Sequence, residues 1–129
     1  MRPFALHLLR HGATADGGRF NGRTDVVPTA SGIDDCLEQV ADLSFDLVIS
    51  SDLQRCAIAA ERIAEAHRVD LRIDPAWREL DFGRWDGLDP RELDPAALSR
   101  FWADPDRHPP EDGERWSDLV CRVADALAA

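Results

Sequence analysis

Hydrophobic positions fall into two alternating rhythms along the chain. Phe4 to Leu9 is a short apolar run that reads as a buried strand, and Asp16 to Asp25, rich in Gly, Asn and Asp, marks a loop. Thr29 to Gly32 then leads into Ile33, Leu37, Val40 and Leu43, whose spacing of three and four predicts one apolar helical face. Phe45 to Ile49 is a second strand-like run. Ser50-Ser51-Asp52 supplies N-cap candidates for a helix with Leu53, Cys56, Ala57, Ala60, Ile63 and Ala64 on one stripe. Val69 to Ile73 alternates apolar and polar before Asp74-Pro75 stops it. Strands alternating with helices predict an α/β fold with a mostly parallel sheet.

From Trp77 to Pro110 the rhythm is lost. Pro90, Pro95, Pro105, Pro109 and Pro110 punctuate short helical pieces such as Ala96 to Trp102, and such an excursion is expected to form a lid or a substrate-selecting wall over residues 77–112. Trp77, Trp85, Trp102 and Trp116 read as packing anchors of this irregular region. Gly113 to Trp116 begins a last helix, with Trp116, Leu119, Val120, Val123 and Leu127 sharing a face.

The length of 129 residues fits one domain, residues 1–129. No apolar run approaches the roughly 20 residues that cross a membrane, so a soluble protein is expected. A formal charge of −10 excludes nucleic acid or an anionic membrane as the expected partner, and an anionic substrate has to be held by a few local arginines. The three cysteines, Cys36, Cys56 and Cys121, lack zinc or disulfide-framework spacing and read as reduced, mostly buried thiols of a cytoplasmic protein. Arg2, Phe4–Leu9 and Ala13-Thr14-Ala15 loosely imitate a signal peptide, but the apolar part is too short and is interrupted by His7.

The chemistry concentrates where strands give way to helices. Arg10, His11 and Gly12 follow the first apolar run, and Arg55 falls in the first turn of the second helix. A parallel sheet gathers such positions on one rim, together with a helix N-terminus. Two guanidinium groups can hold the oxygens of a phosphoryl group and stabilise its transition-state charge. An unprotonated His11 could attack in line to give a phosphohistidine, with Glu79 the best candidate for the acid that protonates the leaving oxygen.

Leu9-Arg10-His11-Gly12, Ser50-Ser51-Asp52-Leu53-Gln54-Arg55, Arg78-Glu79-Leu80-Asp81-Phe82-Gly83 with Trp85 and Gly87, and Gly113-Glu114 before a helix resemble the histidine phosphatase superfamily, the phosphoglycerate mutase-like group. Gly22-Arg23-Thr24-Asp25 and Thr29 to Gly32 are similar to its usual second segment, so the resemblance spans essentially the whole chain. It implies a three-layer α/β/α fold, His11 as phosphorylated nucleophile, Arg10 and Arg55 as phosphate ligands, Glu79 as proton donor, and no cofactor or metal. Gly22, Arg23 and Thr24 are candidate substrate contacts. The short segment from Glu79 to Gly87 looks like the small phosphatases, among them α-ribazole phosphatase. The implied activity is phosphomonoester hydrolysis of a small phosphorylated metabolite, with mutase-type phosphoryl transfer or a non-catalytic phosphate-binding module as alternatives; oligomerisation is left open.

The resemblance also implies a late strand, following the last helix, that inserts between Phe4–Leu9 and Phe45–Ile49, and a second phosphate-contacting histidine on it. Neither is found in this sequence, so a domain truncated before its last core strand is expected, with two strand edges unpaired. His7, His67 and His108 stand in the wrong context to replace that histidine. Ala13 stands where a glutamate is common, Gly17 where an asparagine often lies near the phosphate, and Val27-Pro28 where proline-leucine is usual.

Rival motifs are weaker. Cys56 to Arg62 has the cysteine-five-residues-arginine spacing of tyrosine phosphatases, but the segment is alanine-rich and helical in period, without the glycine-rich loop that chemistry needs. His7 and His11 have the offset of a helical zinc pair, yet on a strand they lie about 13 Å apart.

Overall fold

In the computed structural model, which describes residues 4–129, strands β1 (Leu47–Ser50) and β2 (Asp70–Ile73) form a parallel pair, Leu47 opposite Asp70 through Ser50 opposite Ile73. Helix α2 (Gln54–His67) makes the crossover between them, and α1 (Ala30–Val40) packs on α2. The spacing read from the sequence puts Cys36 and Val40 of α1 against Ala59 and Ile63 of α2, with Leu37, Leu43, Phe45 and Val48 closing this core. Thr29 starts α1 by accepting the Gly32 amide at 3.0 Å.

The N-cap of α2 differs from expectation. None of Ser50, Ser51 and Asp52 caps it; Leu53 occupies the cap position without a side-chain bond, and Asp25 reaches across from the preceding loop to accept the Gln54 amide at 2.7 Å.

The first apolar run is not a strand. Residues 4–10 have no sheet partner among the described residues, and Phe4 and Leu8 are 89% and 80% exposed. A strand holds its shape through a neighbour's hydrogen bonds, and apolar composition alone does not provide one. Between residues 5–11 and β1 runs a groove of about 360 Å³, lined by Leu6, Leu8, Leu47, Ile49 and, from the far side, Ala126 and Leu127.

Helix α4 (Trp116–Ala128) forms where the periodicity places it, but its apolar face is not buried. Trp116, Val120 and Leu127 are each about half exposed, and its packing contact is with the short turn Pro75–Trp77. At its C-terminal end the face borders the groove beside β1, through Ala126 and Leu127.

Residues 77–112 are irregular, with 3-10 turns at Gly83–Trp85 and Pro90–Glu92 and one helix, α3 (Pro95–Ala103). They have an apolar centre of their own. Phe20, from the segment read as a plain loop, is buried and stacks 4.8 Å from Phe82 and 5.9 Å from Trp85, while Trp85 meets Phe101 edge-on at 5.4 Å. Of the four tryptophans, Trp85 is a packing anchor of the kind expected. Trp102 touches the same cluster but remains largely exposed.

The three cysteines are free, but only Cys36 is buried; Cys56 is partly covered and Cys121 exposed. No helix among the described residues is long and apolar enough to cross a membrane.

Candidate active site

A close backbone contact fixes the start of the site. A Cβ at Gly12 would overlap the carbonyl of Gly32 in α1, and one at Gly32 would overlap that of Ala13, so both positions must be glycine for the two segments to touch. Thr29 donates its amide to Ala13 O at 2.9 Å, and Thr14 bridges to Pro28. These contacts seat Arg10 and His11 beside the first turn of α1.

A cleft of about 470 Å³ opens there, with Arg10, His11, Arg55 and Glu79 in its wall together with Asn21, Arg19, Phe20 and Phe82. Residues from three well-separated segments thus share one cavity. Among the described residues, His7, His67 and His108 do not line it; His7 faces the groove beside β1 and His67 stacks on Phe45 at 4.4 Å.

His11 Nδ1 lies 2.8 Å from Gly12 O. A carbonyl only accepts, so Nδ1 carries the hydrogen, and in the neutral ring Nε2 keeps its lone pair. Arg55 is 3% exposed, and its Nη1 and Nη2 donate to Thr24 O at 2.9 Å and Gly22 O at 2.7 Å. Those bonds commit two of the five guanidinium hydrogens and leave the others for a ligand. Glu79 is exposed, with Oε1 accepting from the Leu80 amide at 2.7 Å.

The loop that holds Arg55 is itself braced by Asp86. That carboxylate accepts from the Arg23 amide at 2.7 Å, the Thr24 amide at 2.9 Å and the Thr24 hydroxyl. Gly22, Arg23 and Thr24 therefore form the backing of the site and do not line the cleft. The N-terminus of α2, expected to face the ligand, is taken by Asp25.

Behind the cleft, Arg78 pairs with Asp52 through Nε at 2.7 Å and a second bond from Nη2. That hydrogen bonding, with the charges of Arg78 and Arg23, outweighs burial and holds the Asp52 carboxyl below its ordinary range. Burial pushes the Glu114 carboxyl up, but the Arg122 guanidinium, the Asp81 amide and the Arg23 charge together bring it below the usual value.

Sequence reading missed Asn21. Its Nδ2 donates to Asp16 O at 3.0 Å, while its Oδ1 is buried without a partner in the wall of the cleft. Its place next to Gly22 was the only signal. Asp86 and Arg122 gave none, because their partners are distant in sequence.

The sequence profile of the histidine phosphatase superfamily (branch 1) matches residues 6–129. The chain is 40% identical over 83 residues to the probable phosphoglycerate mutase of Proteus mirabilis, covering 60% of this chain and 39% of the relative. It is 30% identical over 135 residues to the adenosylcobalamin/alpha-ribazole phosphatase of Escherichia coli, covering 95% and 64%. The solved structure of a mycobacterial glucosyl-3-phosphoglycerate phosphatase superposes with a TM-score of 0.82 at 28% identity, covering 92% of this chain and 59% of that one. In each case the chain spans less than two thirds of the relative's own length. With the profile match running over nearly its whole length and the α/β fold shared, the chain belongs to the histidine phosphatase superfamily.

Proposed function

We propose that the protein is a phosphomonoester hydrolase working through a phosphohistidine on a small phosphorylated metabolite in the cytoplasm. The observation that carries the reading is the imidazole of His11, its Nδ1 hydrogen fixed on Gly12 O, in one cleft with Arg10, Arg55 and the Glu79 carboxyl. In this reading His11 Nε2 attacks phosphorus, the P–O bond to the leaving alcohol breaks, and the Glu79 carboxyl gives that oxygen its proton. Glu79, now a carboxylate, takes a proton from water as the water attacks the phosphohistidine, and phosphate leaves with the ring neutral again. Arg10 and Arg55 hold the equatorial oxygens throughout.

Residues 77–112 form the substrate-selecting wall in this reading, through Phe82 beside Glu79. Gly22 and Thr24 hold Arg55 through their carbonyls, and Arg23 lies between them in the loop that Asp86 braces. Mutase-type transfer is the second reading, favoured by the likeness to a probable phosphoglycerate mutase.

The test is hydrolysis of p-nitrophenyl phosphate by the 129-residue chain and by any longer encoded form, with the phosphoenzyme trapped by detergent at alkaline pH, where phosphohistidine survives. Turnover and an acid-labile phosphoryl group lost in His11→Ala are expected. Phosphate binding with neither turnover nor trapped phosphohistidine, in every form, would show a non-catalytic binding module instead.

A further inference from the structure

We infer that Arg122, on the exposed helix α4, is a positioning residue that sets the Glu79 carboxyl for proton delivery; the inference rests on the phosphatase reading. The segment carrying Glu79 has no sheet or helix to fix it. After the turn Pro75–Trp77 the chain runs irregularly to the turn at Gly83, so its carbonyls need partners from elsewhere.

One guanidinium supplies them. Arg122 Nη1 donates to Ala76 O at 2.6 Å and Arg78 O at 2.9 Å, and Nη2 reaches Glu79 O at 3.4 Å. The same side chain grips Glu114 as a fork, Nε to Oε2 at 3.0 Å and Nη2 to Oε1 at 2.8 Å. Glu114 closes the frame, accepting from the Asp81 amide at 3.2 Å and giving its own amide to Asp81 O at 2.8 Å. The peptide units before and after Glu79 are therefore held by one planar ion pair.

Within this segment Glu79 and Phe82 reach the cleft, and of the two only Glu79 can deliver a proton. A group that must deliver a proton tolerates little displacement, since a misplacement near 1 Å can lower a rate about a hundredfold. Binding of the phosphoryl group, by contrast, uses Arg10 and Arg55, which Arg122 does not touch. The signature of Arg122 is thus selective for steps that need the acid.

Leaving groups separate the two roles. p-Nitrophenolate departs without a proton, whereas an alkoxide needs one, so the kcat/KM ratio of a primary alkyl phosphate to p-nitrophenyl phosphate reads acid delivery. The ratio is also independent of the folded fraction. Glu79→Gln is expected to lower it at least about a hundredfold. Arg122→Gln should lower it about 10- to 100-fold, Arg122→Lys less, and Glu79→Gln with Arg122→Gln no further than Glu79→Gln alone. Arg84→Ala, which removes an exposed ion pair with Asp112, should leave the ratio unchanged.

Where Arg122→Gln does not fold, Glu114→Gln tests the same frame. Equal losses on both esters in the Arg122 variant, with the ratio still responding to Glu79→Gln, overturn the inference and leave the acid in place. A ratio insensitive to Glu79→Gln removes the acid and the inference together, and no turnover of either ester by the unaltered protein removes the reading of the site as well.

Discussion

Removing the Asp86 carboxylate should destabilise the fold and weaken phosphate binding together, although Asp86 does not line the cleft. The carboxylate satisfies two backbone amides, at 2.7 and 2.9 Å, and one hydroxyl. Bonds to a charged acceptor contribute about 1.5–3 kcal/mol each where shielded, and less where water can replace them. The Arg23 amide is partly buried and counts nearly in full, while the two Thr24 donors are exposed and count for about half. Asp86→Ala should then cost about 3–6 kcal/mol, a fall in Tm of roughly 10–20 °C for a domain of this size. The second effect follows from Arg55, whose two anchors, Gly22 O and Thr24 O, belong to the loop that Asp86 ties down. Loosening the loop releases a buried guanidinium from its aim, and affinity for inorganic phosphate should fall about tenfold, equivalent to about 1.4 kcal/mol. Urea unfolding at pH 7 and phosphate titration calorimetry measure the two quantities. Asp86→Asn, which keeps one acceptor oxygen, should lie between; Asp112→Ala, at an exposed pair, should change neither. A loss of stability below about 1 kcal/mol, or a full loss with unchanged phosphate affinity, would refute the coupling.

Acid should act through Asp52. Its folded-state carboxyl lies below the unfolded value because Arg78 bonds its charged form, so the stabilisation is present above about pH 4 and is lost as pH falls through the folded value. The stability curves of the unaltered protein and Asp52→Asn should converge on acidification from pH 7 to about 2; parallel curves would contradict this. Thiol labelling should separate the cysteines: Cys121 is exposed and should react at once, whereas burial pushes the Cys36 thiol up, and it should react only on unfolding. Fast labelling of Cys36 in the native protein would place it at the surface.

The sequence made the helices legible because their evidence is local: spacing of Ile33, Leu37 and Val40, and a threonine cap at Thr29. It also placed β1 and β2 within two residues of their observed bounds. Phe4–Leu9 was misread because strandness is a property of a pair, and composition does not show whether the partner is there. The shared face of α4 was legible as a stripe, but its spacing does not say what covers it. Of the candidate site, Arg10, His11, Arg55 and Glu79 were visible as charged or titratable residues at breaks in apolar rhythm, and all four line one cleft. What stayed hidden was the bracing: Asp25 on Gln54 across 29 residues, Asp86 on Arg23 across 63, Arg122 on Ala76 across 46. Single side chains acting over such separations leave no periodicity to read.

The contact between Gly12 and Gly32 has a mechanical consequence. It clamps the chain just past His11, together with Thr29 and Thr14, whereas before Arg10 the backbone runs free of any ladder. The imidazole is thus anchored through the residues that follow it. In the proposed reaction it is that contact, and not a strand, that sets the angle of the ring toward phosphorus.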